Sequence, residues 1–186
     1  MLKGMNFIKQ LFSIESKPKR GLISLEWLVI AYTLFTLCVA LFTYTKLQNP
    51  EAMIWGRVRV LAMIAALWVV YRLVPCRLTR FVRVAAQMSL LAWWYPDTYE
   101  INRIFSNLDH VFCGWEQLMF GCQPSLTFAS TFSWPVISEL MSMGYASYYP
   151  MIALVVFFYF FCRYAEFERA SFVILAAFFI YYVVFI

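Results

Sequence analysis

The residue types best suited to catalysis are scarce, because the chain contains a single histidine, His110. Histidine is the side chain used most often for general acid–base work and also serves as a nucleophile. A mechanism that needs a pair of histidines therefore cannot be completed from residues 1–186. The set Asp109, His110 and Cys113 matches no known spacing of metal ligands. We therefore predict no metal site, and the sequence favours His110 as a loop residue beside Asp109.

Two other groups of polar or reactive side chains have suggestive spacing. Cys113 and Cys122 stand nine positions apart, and an oxidising exterior could join them in a disulfide. Spacing alone leaves two free thiols as the alternative. Tyr145, Tyr148 and Tyr149 recur at i, i+3 and i+4, which places three rings on one face of a helix. Such a face favours helix packing or a membrane interface over contact with a ligand.

The composition indicates which elements must position these residues. Hydrophobic residues make up 63% of the chain, aromatic residues 20% and charged residues only 13%, with a mean hydropathy of +0.71. A soluble domain of this length could not bury so much apolar surface, since folded proteins keep many charged side chains outside. The sequence therefore predicts an all-α, polytopic membrane protein.

Apolar runs with few or no charges predict about five membrane helices, because a bilayer core requires about 20 apolar residues in a helix. Glu26 lies one turn into the first run, where it is expected to reach the headgroups or to pair with Arg20. Trp93, Trp94 and Tyr95 close the third run as an aromatic belt at the interface. The predicted spans are 22–44, 58–74, 84–95, the stretch between 139 and 163, and 170–186.

Charge asymmetry between the connections orients these helices, since lysine and arginine concentrate on the cytoplasmic side. Basic residues precede the first span and fill the connection between the second and third, so both segments are predicted inside. Segment 96–135 carries four carboxylates against Arg103 and is predicted outside. The net charge of +5 follows from this topology, and no basic stripe indicates nucleic-acid binding. We expect a multi-pass protein of the cell membrane with lipids as its partners.

The chain divides into four segments on these grounds. Leu2, Met5, Ile8 and Phe12 recur at roughly helical spacing, which predicts an amphipathic helix on the inner leaflet, with a disordered basic tail as the alternative. The segments are a cytoplasmic basic segment at 1–21, three membrane helices at 22–95, an acidic outer loop at 96–135, and two further membrane helices at 136–186.

Short motifs occur in a characteristic order in the second half of the chain. They are Asn107-Leu108-Asp109-His110, Glu116-Gln117, Phe120-Gly121-Cys122-Gln123-Pro124-Ser125, Glu139-Leu140 and Gly144-Tyr145-Ala146-Ser147-Tyr148-Tyr149-Pro150. Together they resemble the type 2 phosphatidic acid phosphatase superfamily, nearest the inositol phosphorylceramide synthase-like branch. Members of that branch place an aspartate-containing stretch, a Phe-Gly-x-x-Pro-Ser-like turn and a tyrosine-rich helix before their catalytic half.

The resemblance implies a six-helix membrane enzyme that hydrolyses or transfers a phosphoryl group on a phospholipid or sphingolipid, without a cofactor. In such enzymes one histidine attacks phosphorus and a second protonates the leaving oxygen. None of the family's reactive segments lies within residues 1–186. The chain is therefore expected to be the amino-terminal part of the enzyme, incomplete relative to the six-helix core and inactive alone. Asp109, Glu116 and Gln117 are expected to form the outer wall of the headgroup site, with Tyr145, Tyr148 and Tyr149 at its membrane edge.

A non-catalytic alternative belongs to a different functional class. The five spans could form a small membrane scaffold or a transporter subunit. Transporters usually carry ionisable residues or interrupted helices near the middle of the bilayer. In the sequence only Pro150, inside the fourth span, points in that direction. The oligomeric state is left open by the sequence.

Overall fold

The computed structural model describes residue 9 and residues 11–15, 18–106 and 108–186. The predicted amphipathic segment lies mostly outside these residues. Within them the chain is helical and contains no strand, which confirms the all-α class. The helices are α1 (Ser24–Phe42), α2 (Pro50–Leu73), α3 (Arg77–Asn102), α4 (Asp109–Phe120), α5 (Pro124–Thr131), α6 (Pro135–Cys162) and α7 (Phe167–Phe185), with 3-10 turns at Tyr44–Lys46 and Tyr164–Glu166.

Local sequence explains where several helices begin and end. Helices α2, α5 and α6 each begin at a proline, whose fixed φ suits the first turn and whose missing N–H is not needed there. Cys76 caps α3, since its Sγ accepts from the N–H of Thr79 at 3.5 Å, and its own N–H donates to Thr79 Oγ1 at 3.2 Å. Gly121 ends α4 in the left-handed region at φ 69°, where glycine avoids the strain of a Cβ.

Four helical segments in the described part of the chain are long and apolar enough to cross a membrane: Ser24–Phe42, Pro50–Leu73, Pro135–Cys162 and Tyr164–Phe185. They correspond to the first, second, fourth and fifth predicted spans. The third predicted span lies within α3, which is not among the four. Helix α3 has 26 residues, so it is about 39 Å long, but the charged residues near its two ends leave only 84–96 free of charge. The predicted count of five is therefore not confirmed.

The chain forms two compact units: Met1–Ile104 with Arg163–Ile186, and Phe105–Cys162. In the first unit α1, α2, α3 and α7 form a helical bundle in which α1 and α3 each pack against the other three helices. The second unit consists of α4, α5 and α6. The segment predicted as an outer loop, 96–135, thus contains the last turns of α3 and two further helices.

An aromatic cluster fills the middle of the bundle. Tyr32 stacks on Phe179 with ring centroids 4.2 Å apart, and Trp94 meets both rings edge-on at 4.9 and 5.3 Å. Trp94 is fully buried, so its predicted place in an interfacial belt is wrong, because the residue faces the bundle core. The neighbouring Trp93 covers Gly56 so closely that a Cβ there would lie 2.6 Å from the indole ring.

Hydrogen bonds and packing identify the two ends of the bundle. At one end, Arg83 from the start of α3 binds the carbonyl of Gly21, just before α1. At the other end, Asn102 donates to the carbonyl of Phe185 at 2.8 Å, so α3 and α7 run in the same direction. Helices α1, α3 and α7 are thus parallel to one another and antiparallel to α2. These relative directions agree with the charge-based topology, while the side of the membrane on which each end lies stays a prediction.

Candidate functional site

The predicted polar wall lies on α4. Asp109 is the first residue of this helix, where a carboxylate is favourable beside the positive end of the helix dipole. Glu116 and Gln117 follow in its second half, and all three side chains are exposed. The Gln117 amide donates to the carbonyl of Gly121 at 2.8 Å. Gln117 thus helps to close the C-terminus of α4, a local role that sequence reasoning did not identify.

The predicted tyrosines lie on α6 and are exposed. Tyr145 is 72% exposed, Tyr148 42% and Tyr149 61%. Tyr149 meets Tyr145 and Tyr148 edge-on, with ring centroids 6.5 and 6.0 Å apart. The i, i+3, i+4 spacing therefore produces one aromatic surface, as predicted from the sequence. Its exposure leaves the three rings accessible to lipid or to a ligand.

Cys113 and Cys122 are free, half-buried thiols in this structure. The Gln123 amide points at Cys113 Sγ from the start of α5. A disulfide between the two cysteines stays a prediction for the oxidised protein. Within the described residues, no group of three or more histidine, cysteine, aspartate or glutamate side chains could hold a metal ion.

The first unit contains a buried ion pair that the sequence reasoning missed. Arg83 holds Glu26 in a two-point contact: Nε faces Oε1, and Nη2 lies 2.5 Å from Oε2. Arg83 Nη2 also donates to the carbonyl of Gly21 at 3.0 Å, and Glu26 accepts from the N–H of Ile23 at 3.0 Å. Both side chains are almost completely buried. The predicted partner Arg20 is therefore wrong, because Glu26 faces α3 inside the bundle.

A second buried guanidinium belongs to Arg57 in the third turn of α2. Its Nη1 lies 2.5 Å from Asp97 Oδ2 and 3.0 Å from the carbonyl of Met53, while Nε lies 3.4 Å from Thr36 Oγ1. Nη2 is buried and has no hydrogen-bond partner among the described residues. The Arg57 side chain is 0% exposed and that of Asp97 22%. The sequence reasoning began the second span at residue 58 and so left Arg57 outside it. Asn49-Pro50 is the signal that could have placed Arg57 in the helix, because α2 begins at Pro50.

Glu15 is the centre of a polar cluster at the end of the bundle where α3 and α7 begin. Its carboxylate accepts from Tyr71 at 2.7 Å and from Tyr164, and it faces Arg80 at 3.3 Å. Arg80 also binds Glu168 at 2.7 Å. Burial alone would raise the pKa of Glu15, but these hydrogen bonds and the Arg80 charge hold it below its usual value. Four segments of the first unit therefore meet at one carboxylate.

Several buried polar atoms within the bundle lack protein partners. Both amide atoms of Gln87, the hydroxyl of Ser171 and the indole N–H of Trp94 make no hydrogen bond among the described residues. The hydroxyl of Thr98, by contrast, donates to the carbonyl of its own helix at 2.8 Å. Unpaired buried polar groups are costly and are typically solvated or functional. The interior of the bundle therefore has unused hydrogen-bonding capacity.

Comparison with protein-family models, with curated proteins and with solved structures finds no significant match for this chain.

Proposed function

We propose that this chain belongs to a membrane-embedded lipid phosphatase or lipid phosphotransferase of the type 2 phosphatidic acid phosphatase kind. The ordered motifs between Asn107 and Pro150 carry the proposal. All of them fall within the compact unit Phe105–Cys162, and the six candidate residues in it are exposed. Exposure alone does not distinguish these six residues, since no residue of α4 or α5 is buried, but it leaves their side chains accessible to lipid or ligand.

The proposed roles follow from side-chain chemistry. Asp109, Glu116 and Gln117 offer acceptors and one amide for the hydroxyls of a polyol headgroup. The tyrosines offer hydroxyls on rings that tolerate the boundary between lipid and water, which suits the membrane edge of a headgroup site. Phosphoryl transfer by a histidine pair needs residues beyond the single histidine of 1–186. The present residues would therefore orient a phospholipid or sphingolipid rather than react with it.

The test uses the complete product of the gene, purified into lipid nanodiscs. We expect phosphate release from phosphatidic acid, or transfer of the inositol phosphate headgroup from phosphatidylinositol to ceramide. Tyr148→Phe and Tyr149→Phe each remove one hydroxyl, so KM should rise roughly two- to tenfold with little change in kcat. Tyr159→Phe on the same helix is the matched control, since this half-buried residue lies outside the proposed site.

Two results would contradict this assignment at different levels. Absence of both phosphate release and headgroup transfer with all tested lipids would reject the enzyme. Activity with equal KM changes in Tyr148→Phe, Tyr149→Phe and Tyr159→Phe would retain the enzyme and reject the tyrosine contact.

A transporter subunit or scaffold is the second candidate, and the buried charges of the bundle favour it. Arg57 with Asp97 and the unpaired amide of Gln87 place ionisable and polar groups inside the helical bundle, as transport proteins do. Ion or solute flux into proteoliposomes, without lipid turnover, would select this function. Flux should then fall in Gln87→Leu, which removes both unpaired amide atoms.

A further inference from the structure

A polar cavity of about 240 Å³ opens at the end of the bundle where α2 finishes, lined by Pro18, Arg20, Tyr71, Arg72 and Pro75. It is smaller than the roughly 300–1,000 Å³ of pockets that hold drug-sized ligands. The volume equals that of about eight water molecules at ~30 Å³ each. It therefore suits a compact charged group with part of its hydration shell.

The cavity has two guanidinium groups that are not neutralised. Neither Arg20 nor Arg72 makes an ion pair with any of the ten carboxylates of the chain, all of which lie in the described residues. The nearby Glu15 is already matched by Arg80 and two tyrosine hydroxyls. The terminal carbonyls of α2 contribute about half a negative charge. Two full positive charges exceed this, so the cavity favours an anion.

The wall of the cavity is held in place by Trp68. Its indole N–H donates to the carbonyl of Arg20 at 2.9 Å, and the Arg72 guanidinium lies over its ring, 5.4 Å from the centroid. The first contact uses the backbone of Arg20, so the side chain stays available. The second orients the planar guanidinium without using its N–H groups. Both arginines therefore keep the donors that bind phosphate oxygens in pairs.

The position of the cavity selects the kind of phosphate. Tyr71 and Arg72 lie in the last turn of α2. The length and hydropathy of this helix suit a membrane span. A site at the end of a span lies at the depth of lipid headgroups, and basic pockets between helices on the cytoplasmic side suit anionic lipids. We propose that this cavity binds the phosphate monoester of an anionic phospholipid, such as a phosphatidic acid headgroup. The proposal is independent of the enzymatic assignment.

The test measures ligand binding to the purified full chain in detergent. The probes are dioctanoyl phosphatidic acid, dioctanoyl phosphatidylcholine, glycerol 3-phosphate and inorganic phosphate. We expect dioctanoyl phosphatidic acid to bind most tightly. Arg20→Gln and Arg72→Gln should each raise its Kd about tenfold, because each removes a charge-assisted contact. Arg169→Gln is the matched control, an exposed arginine in the first turns of α7, and should change Kd less than twofold.

Each other outcome overturns a defined part of the proposal. An equal loss in Arg169→Gln would show diffuse attraction to a basic surface instead of a cavity site. Equally tight binding of glycerol 3-phosphate or inorganic phosphate would retain the phosphate site but reject a lipid as its ligand. Absence of binding by every probe would reject the site itself. If Arg72→Gln unfolds the protein, Arg20→Gln still decides, since it leaves the backbone contact with Trp68 in place.

Discussion

The two buried arginine–carboxylate pairs of the bundle use the same chemistry but differ in how fully they are satisfied. Arg83 and Asp97, one member of each pair, lie fourteen positions apart on α3, a rise of about 21 Å. Glu26–Arg83 is a two-point contact with further backbone hydrogen bonds, and both side chains are almost fully buried. Arg57–Asp97 is a one-point contact in which one guanidinium nitrogen is unpaired and the carboxylate is 22% exposed.

This difference separates a structural clamp from a site with unused donors. A buried pair offsets its desolvation cost only when its geometry is good and its remaining donors and acceptors are bound. Glu26–Arg83 meets that condition and ties the start of α1 to α3. Arg57 retains a buried N–H group without a partner among the described residues, a costly arrangement where nothing binds it. Arg57–Asp97 is therefore expected to contribute less to stability and is the better candidate for contact with water or a ligand.

The largest expected effect comes from breaking the clamp. Arg83→Met should leave Glu26 buried without its countercharge and destabilise the bundle by about 3–5 kcal/mol. Unfolding in detergent, followed by circular dichroism during titration with sodium dodecyl sulfate, measures this loss. The double variant Glu26→Met with Arg83→Met should recover most of it, because the uncompensated charge is gone. A double variant as unstable as Arg83→Met would show that packing, not charge, explains the loss.

A smaller effect is expected at the second pair. Arg57→Met leaves Asp97 without its countercharge. The Asp97 carboxylate is already 22% exposed and can be hydrated. The substitution also removes the unpaired Nη2. We expect a loss of about 2 kcal/mol, measured by the same titration. A loss equal to or greater than that of Arg83→Met would contradict the distinction between the two pairs.

Much of the fold could be predicted from the sequence, because a long apolar run indicates a helix that is buried in the protein or faces lipid. Four of the five predicted spans coincide with candidate spanning helices. The third is not confirmed, because its apolar run is only part of the longer helix Arg77–Asn102. Pro96 was interpreted as the start of a loop, yet it lies inside that helix. Packing against α1, α2 and α7 stabilises α3 in a way that hydropathy alone does not predict.

The ion pairs were less accessible because they join residues far apart in the chain. Glu26 was expected to pair with its neighbour Arg20, whereas its partner lies 57 positions away. Sequence spacing identifies neighbours on one helix but not the facing residues of another. The three tyrosines of α6 lie near one another because they share one helix, while their role stays a prediction. In this chain, spacing within one helix could be interpreted from the sequence, whereas contacts between helices could not.

The smallest expected effect concerns Glu15, whose carboxylate is partly buried in contrast to Glu26. Its pKa in the folded protein is lowered from the ordinary value of 4.5, so folding favours its charged form. The resulting stability is fully present above the unfolded pKa and is lost as pH falls through the lower folded value. Melting temperatures in detergent between pH 7 and pH 3 should therefore fall less steeply below pH 4.5 in Glu15→Gln than in the wild type.

Glu166→Gln is the matched control for this pH dependence. Glu166 faces Arg163 at 3.6 Å, and both side chains are more than half exposed, so this pair should contribute little. Its variant should retain the wild-type slope below pH 4.5. Parallel melting curves for wild type and Glu15→Gln would show that the charge of Glu15 does not hold the 11–15 segment to the bundle. The expected link between burial of a carboxylate and its contribution to stability would then be supported by Glu26 and Asp97 alone.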